Sequence, residues 1–278
     1  MKIHILIPLI FLLTVLAYFA LDNNLIVRNY TVYTDKIDKV DVLGKGDSLR
    51  FVVLADIHSR RYNARHAEIV ALVKEQKPDA ILLAGDIIDS KPKKTAYRVV
   101  EEVAQIAPTY YATGNHEMSL DVAEHKKTVE DFGVTVLDGA FCTVDVAGIP
   151  LIIAGIDDPR LKFREDRKVK LSYDNFALLD NNPLFKILIA HRPEHIDVYK
   201  EYSFDLVVSG HLHGGMVRIP YVLNGLVSPS RGLFPKYAGG AYEHDRLTHI
   251  VSRGLAGKGW IPRIFNPPEV VVITICNS

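Results

Sequence analysis

The chain of 278 residues is poor in cysteine and has no excess charge of either sign. Its two cysteines, Cys142 and Cys276, lie far apart without a CxxC spacing, which argues against a thiolate zinc site and favours buried free thiols. Lysine plus arginine equals aspartate plus glutamate, at 33 each. This balance argues against nucleic acid as a partner, because a protein that grips a polyanion usually presents a basic face.

The sequence also lacks internal repeats and low-complexity tracts. With 48% hydrophobic and 24% charged residues, its composition is ordinary for a globular fold with a sizeable core. The length allows one large domain or two small ones.

One apolar run stands apart at the N-terminus. From Ile5 to Leu21 no side chain is charged, and as a helix this run would span about 25 Å of a hydrocarbon core of roughly 30 Å. Tyr18 occupies the −3 position of the obvious cleavage point, which disfavours a cleaved signal. We therefore expect residues 1–22 to form a single-pass transmembrane anchor. Lys2 and the basic-poor stretch beyond Asp22 favour an extracytoplasmic domain, with the cytoplasmic face as the alternative.

Beyond the anchor, the pattern predicts an α/β chain. Residues 23–49 form a linker with an edge strand at 28–33, and residues 50–278 form the main domain. Its first part alternates buried strands with helices, which is typical of a parallel sheet. These segments are the strands 51–55, 80–84 and 109–112 and the helices 64–75 and 95–106. The second part is rich in strands: a hairpin around Ala147-Gly148 and strands at 185–190, 206–209, 247–252 and 270–275.

Five segments share one form, in which an apolar strand is followed by potential metal ligands. They are Asp56-Ile57-His58, Gly85-Asp86-Ile87-Ile88-Asp89, Gly114-Asn115-His116-Glu117, Ala190-His191 and Gly210-His211-Leu212-His213-Gly214-Gly215. Carboxylate and amide oxygens together with imidazole nitrogens suit divalent Mn, Fe or Zn. Each segment alone also fits a cap, a turn or a buried histidine. All five at strand ends, where active sites of such sheets form, predict one metal site.

This ordered set of motifs resembles the calcineurin-like metallophosphoesterase family from about Phe51 to the end of the chain. The late segments Val251-Ser252-Arg253-Gly254-Leu255 and Pro267-Pro268-Glu269-Val270 further resemble its membrane-linked bacterial branch. The resemblance implies two mixed β-sheets packed as a sandwich, flanked by helices, with a dinuclear metal site on top.

The resemblance also implies ligands for two divalent metal ions. The first ion would take Asp56, His58, Asp86 and His213. Asp86 would bridge to the second ion, which would also take Asn115, His191 and His211. Such a pair clamps phosphoryl oxygens and lowers the pKa of a bridging water, whose hydroxide attacks phosphorus.

Two further residues receive roles by resemblance. His116 would stabilise the phosphoryl transition state or protonate the leaving group, which makes it the candidate catalytic residue. Asp89 would hydrogen-bond a ligand imidazole. Glu117 has no assigned role. The sequence departs from the family pattern at Ser59-Arg60-Arg61 and at Met216 without removing a ligand, which loosens only the transfer of substrate identity.

The expected function is metal-dependent hydrolysis of a phosphoester or pyrophosphate bond in a phosphorylated small molecule or a lipid-linked substrate. A precursor of the UDP-diacylglucosamine type fits an anchored enzyme but requires a cytoplasmic site, so an ester cleaved outside the membrane is an equal alternative. Apolar segments at 232–235 and 259–262 would either pack in turns or contact lipid. The basic stretch 160–170 would be a solvated loop or a substrate-facing flap. A non-catalytic metal-binding module would be marked by lost ligands.

Overall fold

The computed structural model describes residues 2–37, 48–58, 65–89, 94–119, 121–159, 173–256 and 261–278. The helices in these ranges are α1 (Lys2–Ala20), α2 (Arg65–Glu75), α3 (Lys94–Ala104), α4 (Val122–Asp131) and α5 (Ile196–Tyr199). The strands are β1 (Ile26–Thr34), β2 (Ser48–Leu54), β3 (Ala80–Ala84), β4 (Thr109–Ala112), β5 (Thr135–Val136), β6 (Ala140–Val146), β7 (Ile149–Ile156), β8 (Phe185–Ala190), β9 (Leu206–Ser209), β10 (Val227–Ser228), β11 (Gly232–Leu233), β12 (Gly240–His244), β13 (Leu247–Val251) and β14 (Glu269–Asn277).

The first sheet has six strands in the order β1-β14-β2-β3-β4-β5. Strands β2 to β5 run parallel to one another, whereas β14 runs antiparallel to β2 and parallel to β1. Parallel neighbours need crossover connections, and α2 and α3 supply them between β2, β3 and β4. The first and last strands of the chain therefore close the same edge of this sheet.

The second sheet also has six strands, in the order β12-β13-β9-β8-β7-β6. Its central strands β13, β9, β8 and β7 are parallel, and antiparallel strands lie at both edges. The predicted hairpin joins β6 to β7, and Ala147 and Gly148 both adopt the positive φ that a tight hairpin turn requires. The expected pair of mixed sheets is thus present, with a small two-stranded ribbon of β10 and β11 beside it.

Alternate side chains of the central strands face two different layers. Val53 of β2 and Ile187 of β8 belong to the core between the sheets. Val52 packs with Val99 of α3 on the outer face of the first sheet, and Leu188 packs in a third cluster outside the second sheet. This period of two explains why the strands are continuously apolar: both of their faces are covered.

The N-terminal helix differs from the expectation. α1 is 19 residues long, which corresponds to a rise of about 28 Å and falls short of a roughly 30 Å hydrocarbon core. Among the residues that the structure describes, no helix is both long and apolar enough to cross a membrane. The prediction of a transmembrane helix at residues 1–22 is therefore not supported.

The two cysteines are free, as expected, but neither is fully buried. Both lie half-buried on strands, Cys142 on β6 and Cys276 on β14, so the expectation of buried thiols is wrong in that detail. Three segments singled out in the sequence lie outside the described residues: Ser59-Arg60-Arg61, the basic stretch 160–170, and the pair Gly259-Trp260.

Candidate metal centre

The loops after β2 and β3 are tied together through their backbones. The Asp56 N–H donates to the Gly85 carbonyl at 3.0 Å, and the His58 N–H donates to the Asp86 carbonyl at 3.0 Å. Because neighbouring parallel strands end at the same edge, these two bonds continue the sheet pairing into the loops. They place the Asp56 and Asp86 carboxylates, both almost fully buried, side by side at the carboxyl ends of β2 and β3.

Two further contacts join the sheets across this point. The His211 N–H donates to both carboxylate oxygens of Asp56, at 3.1 and 3.0 Å. The His191 Nδ1–H donates to the Ala84 carbonyl at 2.8 Å, which turns its Nε2 towards Asp86 Oδ2 at 3.2 Å. Such a bond selects the tautomer with a free Nε2, the usual arrangement of a metal-ligating histidine.

The proposed ligands lie on strained backbone. Five of the seven have positive φ, in a region that non-glycine residues seldom occupy: Asp56 (52°), His58 (45°), Asp86 (51°), His211 (75°) and His213 (49°). Such conformations persist where the surrounding fold over-determines them, and they cluster at functional sites. Gly210 permits the close approach of the sheets, since a Cβ there would lie 2.6 Å from Asp56 Oδ2.

These side chains form three groups, and within each group the donor atoms lie within 4.8 Å of one another. The groups are Asp56 with His58 and His213, His58 with Asp89 and His116, and Asp86 with His191 and His211. The first and third groups correspond to six of the seven ligands expected from the sequence. The structure therefore gathers residues that are far apart in the chain around a common centre.

Electrostatics at the centre favours bound cations. Burial would raise the pKa of Asp86, but the adjacent His191 outweighs it and holds this pKa well below its usual range. Burial would lower the pKa of His191, but the carboxylates of Asp86 and Asp56 raise it to about 10. Burial and the neighbouring His191 lower the pKa of His211 to about 3. The carboxylates of Asp86 and Asp56 thus hold a positive charge on His191, and a divalent metal ion would supply that charge in place of the His191 proton.

Several buried atoms at the centre also have no hydrogen-bond partner among the described residues. Both ring nitrogens of His58 and the Oδ1 atom of Asn115 are of this kind. Buried polar atoms are normally satisfied, so these donors need a partner of another type. A pair of divalent metal ions fits the residue set on this ground and on the chemistry of its oxygens and imidazoles.

The candidate catalytic residue His116 is more open to solvent than the ligands, with 38% of its side chain exposed. Its backbone N–H donates to Asp86 Oδ1 at 2.8 Å, and its ring Nδ1 lies 3.1 Å from Asp89 Oδ1. Asp89 lies farther from His58 Nδ1, at 3.7 Å. Asp89 therefore orients His116 more directly than it orients the proposed ligand His58.

Glu117, which received no role from the sequence, is fully buried beneath the centre. Its carboxylate accepts four backbone N–H bonds of 2.6–3.1 Å, from Asp86, Ile87, Ile88 and Gly114. Burial and the Asp86 charge raise the pKa of Glu117 to about 7, and the N–H donors act against them. Its place in the Gly-Asn-His-Glu motif was the available signal, but only the fold shows that it joins two loops.

Arg263 is a second residue that sequence reasoning missed. Its guanidinium is buried and donates to five backbone carbonyls at 2.7–3.5 Å: those of His213, Arg253, Gly254, Ala256 and Asn266. Asn266 supports the same loop, since its Nδ2 donates to the His213 carbonyl at 2.7 Å. No pattern near Arg263 in the sequence indicates this role.

Comparison with known proteins agrees with the site. The family model described as calcineurin-like phosphoesterase matches residues 49–215, more than half of the chain. The uncharacterized metallophosphoesterase YkoQ of Bacillus subtilis is 29% identical over 253 residues, covering 87% of this chain and 89% of that protein. The phosphodiesterase YaeI of Escherichia coli is 29% identical over 181 residues, covering 62% and 63% of the two chains.

Solved structures show the same fold at low identity. A 5′-nucleotidase precursor from Thermus thermophilus matches with a TM-score of 0.53 and 12% identity, over 82% of this chain and 54% of that one. TT1561 of the same organism matches with a TM-score of 0.50 and 13% identity, over 73% and 88%. The protein belongs to the calcineurin-like phosphoesterase family and is a metallophosphoesterase, an enzyme that hydrolyses phosphoesters.

Proposed function

We propose that the enzyme cleaves a phosphodiester or pyrophosphate bond in a lipid-linked substrate, using two divalent metal ions, with Mn, Fe and Zn as the candidates. The observation that carries the proposal is an exposed apolar surface joined directly to the metal centre. This interfacial surface consists of α1, the loop 219–222 and the ribbon residues 233–234.

Backbone hydrogen bonds connect the parts of the interfacial surface. The Phe265 N–H donates to the Ala20 carbonyl at the end of α1 at 2.7 Å. The adjacent Ile264 donates to the Met216 carbonyl at 3.0 Å and accepts from the Arg218 N–H at 2.9 Å. One short segment therefore holds both α1 and the loop that follows the Gly-His-Leu-His motif.

Large apolar side chains on this surface face solvent. Leu233 is 67% exposed and Phe234 is 63% exposed, while Tyr221, Val222 and most of the long side chains of α1 from Ile7 onwards are also exposed. Exposed apolar surface of this extent marks an interaction site. A lipid surface suits it, because α1 has no charged side chain between Ile5 and Ala20 and burial of apolar surface away from water is favourable.

The chemistry follows from the residues at the centre. Asp56, His58, Asp86 and His213 would hold one ion, and Asp86, Asn115, His191 and His211 would hold the other. Bound there, the metals would polarise the phosphoryl oxygens and activate water. His116, which is open to solvent and whose Nδ1 lies 3.1 Å from Asp89 Oδ1, would donate a proton to the leaving oxygen. The name of YaeI supports a diester bond as the target.

For localisation we propose attachment to a membrane through α1, with the catalytic domain on the extracytoplasmic side. Lys2, the first residue of α1, and the basic-poor stretch beyond Asp22 support this orientation. Protease treatment of intact cells tests the side. Degradation of the domain only after the cells are lysed would contradict the orientation while leaving the enzymatic proposal intact.

A matched pair of variants tests the lipid-linked substrate. The full-length, metal-loaded protein is assayed on soluble bis(p-nitrophenyl) phosphate and on a lipid-linked pyrophosphate in mixed micelles. The double variant Leu233→Ser, Phe234→Ser should lose micellar activity and keep soluble activity. Leu178→Ser serves as the control, because Leu178 is 75% exposed but lies outside the interfacial surface. Equal micellar activity in all three proteins would refute the lipid assignment.

A further inference from the structure

Three arginines surround one buried carboxylate beside the metal centre. Glu269 is fully buried, and its Oε2 atom lies 3.4 Å from Arg253 Nε and 3.8 Å from Arg28 Nε. Its other oxygen, Oε1, accepts a hydrogen bond from the backbone N–H of Arg253 at 2.9 Å. Both ion pairs therefore involve the same carboxylate. We call Arg28, Arg253 and the neighbouring Arg218 the arginine cluster.

Arg218 completes the cluster. It lies beside Arg253 across Gly239, where an added Cβ would approach Arg253 Cγ at 2.8 Å and Arg218 Nη1 at 3.5 Å. Its guanidinium donates to the Gly214 carbonyl at 3.3 Å and to Asn224 Oδ1. Burial and the charge of Arg253 lower the pKa of Arg218 to about 10.

The arginine cluster carries an excess of positive charge. In the described part of the chain, Glu269 is the one carboxylate within ion-pair distance of any of these three guanidinium groups, and it pairs with Arg253 and Arg28. The arginines on the other side of the centre are balanced instead. Arg192 pairs with Asp158 at 2.6 Å, and Arg231 pairs with Glu194 at 2.9 Å. Because opposite charge usually accompanies half-buried arginine, the unbalanced cluster favours a bound anion.

The position of the cluster relates it to the reaction. Gly214, which accepts from Arg218, directly follows the proposed ligand His213. Gly254, which directly follows Arg253, lies against Asp56, since a Cβ on Gly254 would be 2.6 Å from Asp56 Cβ. The arginines therefore border two of the three loops that would hold the first metal ion, those of Asp56 and His213.

We infer that Arg28, Arg218 and Arg253 form a subsite for a second phosphate, so that the substrate is a pyrophosphate diester and not a single phosphodiester. The inference rests on the proposed function. Water would form a bond to the phosphorus at the metals, the bridging P–O bond would break, and two monophosphates would leave. The guanidinium groups would stabilise the charge on the departing phosphate, which is the part that gains charge in the transition state.

Binding provides the first test and does not depend on turnover. The Mn-loaded full-length protein is titrated by calorimetry with methylenediphosphonate and with methylphosphonate. The wild type should bind the diphosphonate at least tenfold more tightly, since each charge-assisted contact is strong. Arg253→Gln and Arg218→Gln should each lower the diphosphonate affinity about tenfold and change the methylphosphonate affinity less than about threefold.

Turnover provides the second test. The same variants should lower kcat/KM for UDP-glucose, a soluble pyrophosphate diester, at least about tenfold more than for bis(p-nitrophenyl) phosphate. Arg246→Gln is the matched control, because Arg246 is exposed and lies in the turn before β13, at the end of that strand remote from the centre. Arg28→Gln keeps the test valid if the other variants fold poorly, because 41% of the Arg28 side chain is exposed.

The outcomes separate the inference from the proposed function. Three calorimetric results would overturn the subsite. The variants could lose affinity for both phosphonates equally or for neither, or the wild type could show no preference for the diphosphonate. A wild type that cleaves the simple diester but never a pyrophosphate would also overturn it and leave phosphodiesterase activity standing. A protein inactive on every ester would refute the proposed function, while the calorimetric difference would still decide the subsite.

Discussion

The two sheets bring different chemistry to the metal centre. Loops of the first sheet carry the proposed oxygen donors, the carboxylates of Asp56 and Asp86 and the amide of Asn115, together with one proposed imidazole ligand. Loops of the second sheet supply imidazoles alone: His191, His211 and His213. Neither sheet holds a complete set for two ions, so the centre exists only when the sandwich is packed.

The supports beneath the loops differ in the same way. In the first sheet, one buried carboxylate, Glu117, collects four backbone N–H groups. On the other side, one buried guanidinium, Arg263, collects five backbone carbonyls. Loops that turn N–H groups inward need an anion, and loops that turn carbonyls inward need a cation. The difference shows that both supports satisfy backbone groups that tight ligand loops leave unpaired.

Removal of the shared ligand should have the largest effect. If Asp86 bridges two ions, Asp86→Ala should lose both, whereas His191→Ala should lose only the second. Activity on bis(p-nitrophenyl) phosphate should fall more than about a hundredfold in both, because even outer partners of a ligand are worth 10–100-fold. Metal analysis of the purified full-length proteins measures the stoichiometry. An Asp86→Ala protein that retained two ions would refute the bridging assignment.

His116→Gln should separate catalysis from metal binding. We expect kcat to fall about 10²–10⁴-fold, the usual range for a general acid, with metal content unchanged. The measurement is steady-state kinetics beside metal analysis. Substrates with a good leaving group, such as p-nitrophenolate, should be less affected than alkyl esters, since they need less protonation. Loss of metal in His116→Gln would instead make it a ligand.

The two supports can be broken separately. Glu117→Gln turns an amide N–H₂ towards backbone donors, and we expect it to lower the free energy of unfolding by about 3 kcal/mol. Arg263→Gln should cost a similar amount, because buried carbonyls lose a charged donor. Chemical denaturation measures both, with Glu130→Gln, an exposed glutamate of α4, as the control. A change below about 0.5 kcal/mol in either variant would contradict its structural role.

Gly210→Ala tests how closely the sheets approach and should have the smallest effect. The new Cβ would lie 2.6 Å from Asp56 Oδ2 and 2.8 Å from Ala55 Cβ, so the loops must separate. We expect a loss of about 1–3 kcal/mol in unfolding free energy together with weaker metal binding. Gly133→Ala is the control, because it has positive φ but open space around it. It should lose stability from backbone strain without a change in metal affinity.

Much of the fold could be predicted because its signals are local. The strands 80–84, 109–112, 185–190 and 206–209 have the predicted bounds, and the helices at 64–75 and 95–106 differ by no more than two residues at either end. Continuous apolar runs of this length have few other stable environments. Weaker elements were not predicted: α4, β5 and β12 are polar or short, and their placement depends on neighbours supplied by the fold. α1 formed as a helix, without support for spanning a membrane.

The candidate site also has features that the local sequence predicts and features that it does not. By itself the sequence determined which side chains follow the buried strands, because hydrophobic runs and the loop residues after them are contiguous. Only the tertiary structure decided the roles of Glu117 and Arg263 and the charge imbalance around Glu269. Those roles depend on burial and on partners remote in the chain. His211 and Asp56, for example, are hydrogen-bonded but 155 positions apart in the sequence. Charges lose their solvation only when the sheets pack, and that environment is absent from any local pattern.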